Sequence, residues 1–425
     1  MRTTLLPLAA SLLLLLLLLT PGGAYKSYVT PEASAALLRP GGAREYPGQC
    51  PCANASLCEP VTGQRFADGK QLFVFHVAGE PTNFDQWRHY DFSRITVIAM
   101  WEFPEMGAEL LCHAHSMGIR IVLPSMPPAK VYNGTNETKK LAWADNTAAT
   151  VKSLFADGIN LDTEDAIPPG DLHARDGLTD ITKRARVALD KVGLKSALVT
   201  FDVGWMPGVD GRFYDYHGLA DVCDYLVVMA YDMASYIWGA CLATPNSPPP
   251  QVMQGVLNYL AFVPPHQLVL AVPWYGRRYR CANGTSTDAR LCPMAQPEAW
   301  RDCNCTDAGA EPVEFSAMAS LTPTSSTGAQ RDTMLQTPWM NFAHATSGTV
   351  SQLWYDDIES LSIKYALAAA QQLLGVGMWT ANMLDYGKPP WNVTSNIPQA
   401  TRDMWTAIST VPFPATRAES PNHEL

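Results

Sequence analysis

Three polar side chains stand at two-residue spacing in an otherwise apolar run: Asn160, Asp162 and Glu164, within DGINLDTE (157–164). Alternate side chains of a strand share a face, so these three point one way while Ile159, Leu161 and Thr163 point the other. Two carboxyl groups on the inner face of an apolar strand are costly to bury. The cost is tolerated where chemistry needs it. A general acid must hold its proton at working pH, and a neighbouring carboxylate favours that because like charges resist sharing a small site. Asp162 and Glu164 lie about 7 Å apart along a strand, and their side chains can approach closer. The spacing predicts Glu164 as a proton donor and Asp162 as its partner. A divalent-metal cluster including Asp157 and Asp165 is the alternative. The strand period sets those two on the opposite face and no histidine lies on the motif, so no metal and no cofactor are expected.

Aromatic residues mark the ends of other apolar runs: Met229-Ala230-Tyr231-Asp232, Pro273-Trp274-Tyr275-Gly276 and Met378-Trp379. A single Trp is more often core packing. Several aromatic strand ends converging on a carboxylate pair suit the flat face of a sugar ring, with a polar handle to hydrogen-bond it.

Eight apolar, Val-, Ile- and aromatic-rich runs could position these groups: 71–78, 94–101, 119–125, 157–163, 197–203, 222–230, 267–273 and 374–380. They are nearly continuous in apolar character, as parallel strands covered on both faces require. Helical patterns lie between them, notably 180–192 and 357–374. Eightfold strand–helix alternation predicts an α/β fold, a (β/α)8 TIM barrel, whose catalytic groups sit at the C-terminal ends of the strands. The spacing is uneven only between the seventh and eighth runs, so 277–350 reads as an insertion. The expected organisation is a signal peptide over 1–24, a Cys-rich segment over 25–70, the catalytic barrel over 71–410 and a disordered tail over 411–425. No GxGxxG follows the first strand, which disfavours a dinucleotide fold.

The leucine run Leu12 to Leu19, followed by Thr20-Pro21-Gly22-Gly23-Ala24, is short and interrupted for a membrane span and reads as a cleaved leader. Ten cysteines with CxC and irregular spacing favour disulfides over zinc. Sequons at Asn54, Asn133, Asn136, Asn283, Asn304 and Asn392 fit a glycosylated luminal protein. A net charge of −10 without a basic run argues against nucleic acid. The expectation is a monomer in the lysosome, or alternatively secreted, with no membrane attachment after leader removal.

DGINLDTE resembles the DxxDxDxE signature of glycosidase family 18, the chitinase-type barrels. MAYD (229–232), LAVPWYGR, VSQLWYDDIESLSIK and GVGMWTANMLDY resemble further family segments in the same order. The resemblance implies hydrolysis of β-1,4-linked N-acetylglucosamine in short oligosaccharides, chitobiose cores especially. It implies a retaining mechanism in which the substrate's 2-acetamido group replaces a protein nucleophile. Glu164 would be acid and base, Asp162 would orient the acetamide and Tyr231 would bond its carbonyl oxygen. Asn160, Asp232, Trp274, Met229 and Trp379 would bind substrate, Trp379 as the floor. Action from the reducing end is expected; an endo-acting enzyme and a non-cutting chitinase-like lectin are the alternatives. One departure stands out: the wider family pattern has Asp where this chain has Asn160. Without that carboxylate neighbour, Asp162 is expected to ionise at lower pH.

Overall fold

Seven parallel strands follow one another along the chain: β1 (Gln71–His76), β2 (Val97–Met100), β3 (Arg120–Ser125), β4 (Gly158–Leu161), β5 (Leu198–Val203), β6 (Tyr225–Met229) and β7 (Leu268–Pro273). The eighth, β15 (Gly375–Trp379), pairs in parallel with β7 and β1 and closes the barrel. The architecture is a (β/α)8 barrel with an insertion between its last two strands. This is a computed structural model that describes residues 28–67, 69–77, 84–101, 107–237, 239–301, 303–387 and 397–408. The expected leader, the expected tail and Asn392 lie outside the described residues.

Strand parity explains the continuous apolar runs. Phe73, Phe75, Val227, Val269 and Ala271 fill the barrel interior, while Leu72, Val74, Leu270 and Val272 face the surrounding helices. Gly158 starts β4 at a φ of 155°, and a Cβ there would lie 2.0 Å from the carbonyl oxygen of Leu198. Only glycine lets β4 and β5 approach so closely at the foot of the strand that carries the acids.

The insertion forms its own antiparallel sheet from β8 (Tyr275–Arg280), β11 (Glu311–Glu314), β12 (Gln330–Asp332), β13 (Thr337–His344) and β14 (Thr349–Trp354), ordered β11-β8-β14-β13-β12. A two-stranded ribbon, β9 (Glu298–Trp300) and β10 (Cys303–Thr306), leans toward the barrel mouth. Disulfides Cys281–Cys292 and Cys241–Cys305 hold this region. Cys303 and Cys223 are buried free thiols. Cys305, not its neighbour, takes Cys241.

The Cys-rich N-terminal segment caps the opposite end. Cys50 pairs with Cys58, and Cys52 with Cys112 on the helix Ala108–Ser116. The sulfurs of Cys50, Cys52 and Cys58 lie within 4.8 Å of one another, but all three are held in disulfides. Asp157, at the foot of β4, accepts from the backbone N–H groups of Val61 and Ile121, each at 2.7 Å. His115 Nε2 lies 2.9 Å from the same carboxylate and its Nδ1 2.6 Å from the carbonyl of Leu57. Both ring nitrogens face acceptors. Burial alone would lower the His115 pKa, but the Asp157 charge and both hydrogen bonds raise it. Asp157 therefore anchors the N-terminal segment, far from the barrel mouth. No helix among the described residues is long and apolar enough to cross a membrane.

Candidate active site

Asn160, Asp162 and Glu164 lie on β4 and its immediate C-terminal extension, at the barrel mouth. Asn160 is fully buried; Asp162 is half-buried and Glu164 exposed. The carboxyl groups of Asp162 and Glu164 hydrogen-bond each other. Burial first, and then the charge of Glu164, push Asp162 up to about 7, with Arg212 acting in the opposite direction. With Asn160 beside it, Asp162 still lies well above the ordinary carboxylate range. A second buried acid lies on the neighbouring strand.

That acid is Asp202 on β5, which is 2% exposed. Asn160 Nδ2 donates to Asp202 Oδ1 at 2.8 Å and to Thr200 Oγ1 at 3.0 Å. Burial and the charges of Asp162 and Glu164 hold Asp202 well above the usual carboxylate range, against the opposing bond from Asn160. Sequence reasoning missed Asp202 as a site residue. A polar residue at two-residue spacing from Thr200 in the apolar string ALVTFDV was the available signal.

Arg212 was also missed. It follows β5, its side chain is 8% exposed, and its guanidinium hydrogen-bonds Glu164 Oε2. It also stands 3.8 Å from Asp210, whose carboxyl is raised chiefly by burial. Loop residues carry no periodicity, so nothing in the sequence marked them.

The aromatic residues divide by strand parity. Tyr231, just past β6, and Tyr275, at the start of β8, turn inward. Trp379 ends β15 with its ring 6.3 Å from Tyr231, 5.0 Å from Phe75 and 5.8 Å from Trp101. Met229 lines the same mouth beside Tyr231. Trp274 does not. It is fully buried in the layer between barrel and helices, its ring 5.0 Å from Trp405 in an edge-on contact. On β7 the inward positions are 269 and 271, so parity sends 274 outward; nearness to a strand end did not place it at the mouth.

Asp232 sits at a left-handed φ of 50°, its N–H donating to Asn246 Oδ1 at 2.8 Å. Its Oδ1 accepts from Tyr275 Oη at 2.7 Å and Arg277 Nε at 3.0 Å. Asp232 is thus tied to the first strand of the insertion. A cavity of about 220 Å³ runs from Glu164, Tyr231 and Asp232 past Trp205 to Trp300 and Asp307 of the insertion. Burial first, then the charge of Asp232, push Asp307 up to about 7.

A closed parallel barrel with hydrogen-bonded carboxyls and aromatic strand ends at its mouth defines a barrel glycosidase. The chain belongs to family 18 of the glycosyl hydrolases, whose model matches residues 130–383, and it is a glycoside hydrolase. It is 36% identical to di-N-acetylchitobiase of Rattus norvegicus over 361 residues, 84% of this chain and 92% of that one. Against di-N-acetylchitobiase of Homo sapiens the identity is 33%, covering 84% of this chain and 88% of that one. The fold is shared with an immunomodulatory active chitinase from Trichuris suis, with a TM-score of 0.62 at 14% identity, over 80% of this chain and all of that one (100%).

Proposed function

We propose that this enzyme cleaves the β-1,4 bond between N-acetylglucosamine residues in chitobiose cores of glycoprotein-derived oligosaccharides and in short chito-oligosaccharides. It does so with retention, through the substrate's own acetamide, and removes the reducing-end sugar. The observation that carries the mechanism is the direct hydrogen bond between Asp162 and Glu164. A protein nucleophile or a general base must face the acid across the scissile bond, about 5 to 9.5 Å away. Asp162 touches Glu164 and stands on the same side. The nucleophile is then the acetamide oxygen, which attacks the anomeric carbon while Glu164 protonates the leaving oxygen. Asp162 accepts from the acetamide N–H and balances the oxazolinium charge, and Tyr231 donates to the acetamide oxygen. Trp379 floors this sugar, and Asp232 binds it from the mouth. Glu164, now a carboxylate, activates the water that opens the oxazolinium. Holding the internal nucleophile in place supplies much of the rate.

Reducing-end action rests on the cavity beyond Glu164. It is walled by the insertion residues Trp300, Thr306, Asp307 and Ala308, which leave room for a short leaving group. The names of the relatives with high coverage agree with this substrate class. The expected leader, the sequons and the disulfides support work in the lysosomal lumen, where the enzyme would act as a monomer. The test is digestion of chitotetraose labelled at its reducing end. Labelled monosaccharide as first product, released with the new reducing end in the β-configuration, is expected. Labelled disaccharide or trisaccharide from the start would replace this reading with endo action, and tight binding without product would replace it with a lectin.

A further inference from the structure

Asp202 lies fully inside the barrel, and the reaction just described does not use it. Burying a carboxyl group in a barrel interior costs several kcal/mol when it is charged, so such a group stays protonated unless a cation meets it. The groups around it on every side are known. From β4 they are Asn160, Asp162 and Glu164; from β5, Thr200; and from β6, Tyr225 and Tyr231. Arg212 is the nearby cation, and its guanidinium is bound to Glu164. Among the described residues, no cation pairs with Asp202.

The strand register places it. β4 and β5 pair Gly158 with Leu198, Asn160 with Thr200 and Leu161 with Phe201. One residue further along that register Asp162 stands opposite Asp202, about 4.8 Å away between backbones, and both side chains point inward. Asn160 Nδ2 donates to Asp202 Oδ1. That oxygen is therefore the acceptor, which leaves Oδ2 to carry the acid proton. Across the gap, Asp162 Oδ1 is buried and has no hydrogen-bond partner among the described residues. Asn160 Oδ1 is likewise buried without a partner, and of these two acceptors Asp162 Oδ1 is the one that the register sets opposite Asp202.

We propose that Asp202 is a positioning residue. As a buried neutral acid it donates a hydrogen bond to Asp162, directly or through one water, and so keeps that carboxylate ionised and turned toward the substrate's acetamide. It supplies from β5 what an acid at position 160 would supply from β4. Asn160, through its donated hydrogen bond, orients Asp202. No proton leaves Asp202 in the cycle. This inference rests on the acetamide-assisted reading above.

The test uses the full-length enzyme on chitotetraose. Asp202→Val keeps the shape and removes the donor. We expect kcat to fall about 10- to 100-fold with KM within about threefold. The melting temperature should hold or rise, because a buried acid has been replaced by an apolar group. Asp202→Asn, whose amide still donates, should keep kcat within about tenfold of wild type. Adding Asn160→Asp to Asp202→Val should recover most of the loss, since an acid again adjoins Asp162. Wild-type kcat in Asp202→Val would overturn the proposal. So would parallel loss of melting temperature and activity, or no recovery in the double variant. If the wild-type enzyme itself does not turn over chitotetraose, the functional reading fails instead, and the two failures are distinguishable.

Discussion

The guanidinium of Arg212 and the carboxyl of Asp162 both bind Glu164, one as a cation and one as a hydrogen-bonded acid. The proposed acid of the reaction is thus held between a cation and a neighbouring carboxyl group. Arg212 also works on Asp162, whose raised pKa it opposes. Asp162 must be ionised when the oxazolinium forms, so its titration sets the acid limb of the activity profile. Arg212→Gln removes the cation and lets Asp162 hold its proton to higher pH. The acid limb of kcat/KM should move toward alkaline pH by at least about half a unit. An unmoved limb would mean that Arg212 serves only to close the loop after β5.

Tyr231 is buried, with its ring tilted over Trp379. Tyr231→Phe keeps that packing and removes one hydrogen bond to an oxygen that becomes part of a cation. Turnover of chitobiose should fall about 10- to 100-fold, the worth of a hydrogen bond to a charged group, with little change in KM. Steady-state kinetics separate this from a binding defect, which would appear in KM.

The insertion wall should decide how many sugars leave. Trp300 is half-buried on β9 and lines the cavity beyond Glu164. Trp300→Ala opens that side. Reducing-end-labelled chitohexaose should then yield labelled disaccharide as well as monosaccharide, a pattern read directly by chromatography. An unchanged product pattern would place the limit on leaving-group length elsewhere.

The stability contributed by two buried carboxyls should decrease as the medium becomes neutral. Asp162 and Asp307 are both held near 7 by burial and neighbouring carboxylates, above their ordinary values. Through these two carboxyls the folded chain binds more protons than the unfolded chain between about pH 4 and pH 7, so their contribution to stability falls as pH rises across that window, while His89 and His113, lowered to about 4 chiefly by burial, act in the opposite direction. The contribution of Asp307 is isolated by comparing wild type with Asp307→Asn: the melting temperature of the variant relative to wild type should rise between pH 5 and pH 7.5. The amide of the variant does not titrate. A difference that stays constant across this range would assign the slope to other groups.

The barrel and the acid were legible because both rest on parity and apolar runs. Asp162 and Glu164 break an apolar run at the strand period, and eight apolar runs alternating with helical patterns match the strand count of a closed parallel barrel. Parity also exposes where the reading went astray. Trp274 was placed at the mouth by its nearness to a strand end, although Val269 and Ala271 on the same strand already fix the inward positions. Asp202 carried a parity signal through Thr200, but its meaning depends on the β4–β5 register, which only the fold supplies. Arg212 comes from a loop, where neither period nor composition marks a residue. The pairing of Cys241 with Cys305 joins positions 64 residues apart and depends on how the insertion folds back.

The central claim is that Glu164 delivers the proton that frees the leaving sugar. Glu164→Gln keeps size and hydrogen bonding and removes the transferable proton. Turnover of chitobiose should fall by about 100-fold or more, while the dissociation constant for chitotetraose, measured by calorimetry, stays within about threefold of wild type. Turnover near the wild-type rate in this variant would contradict the account.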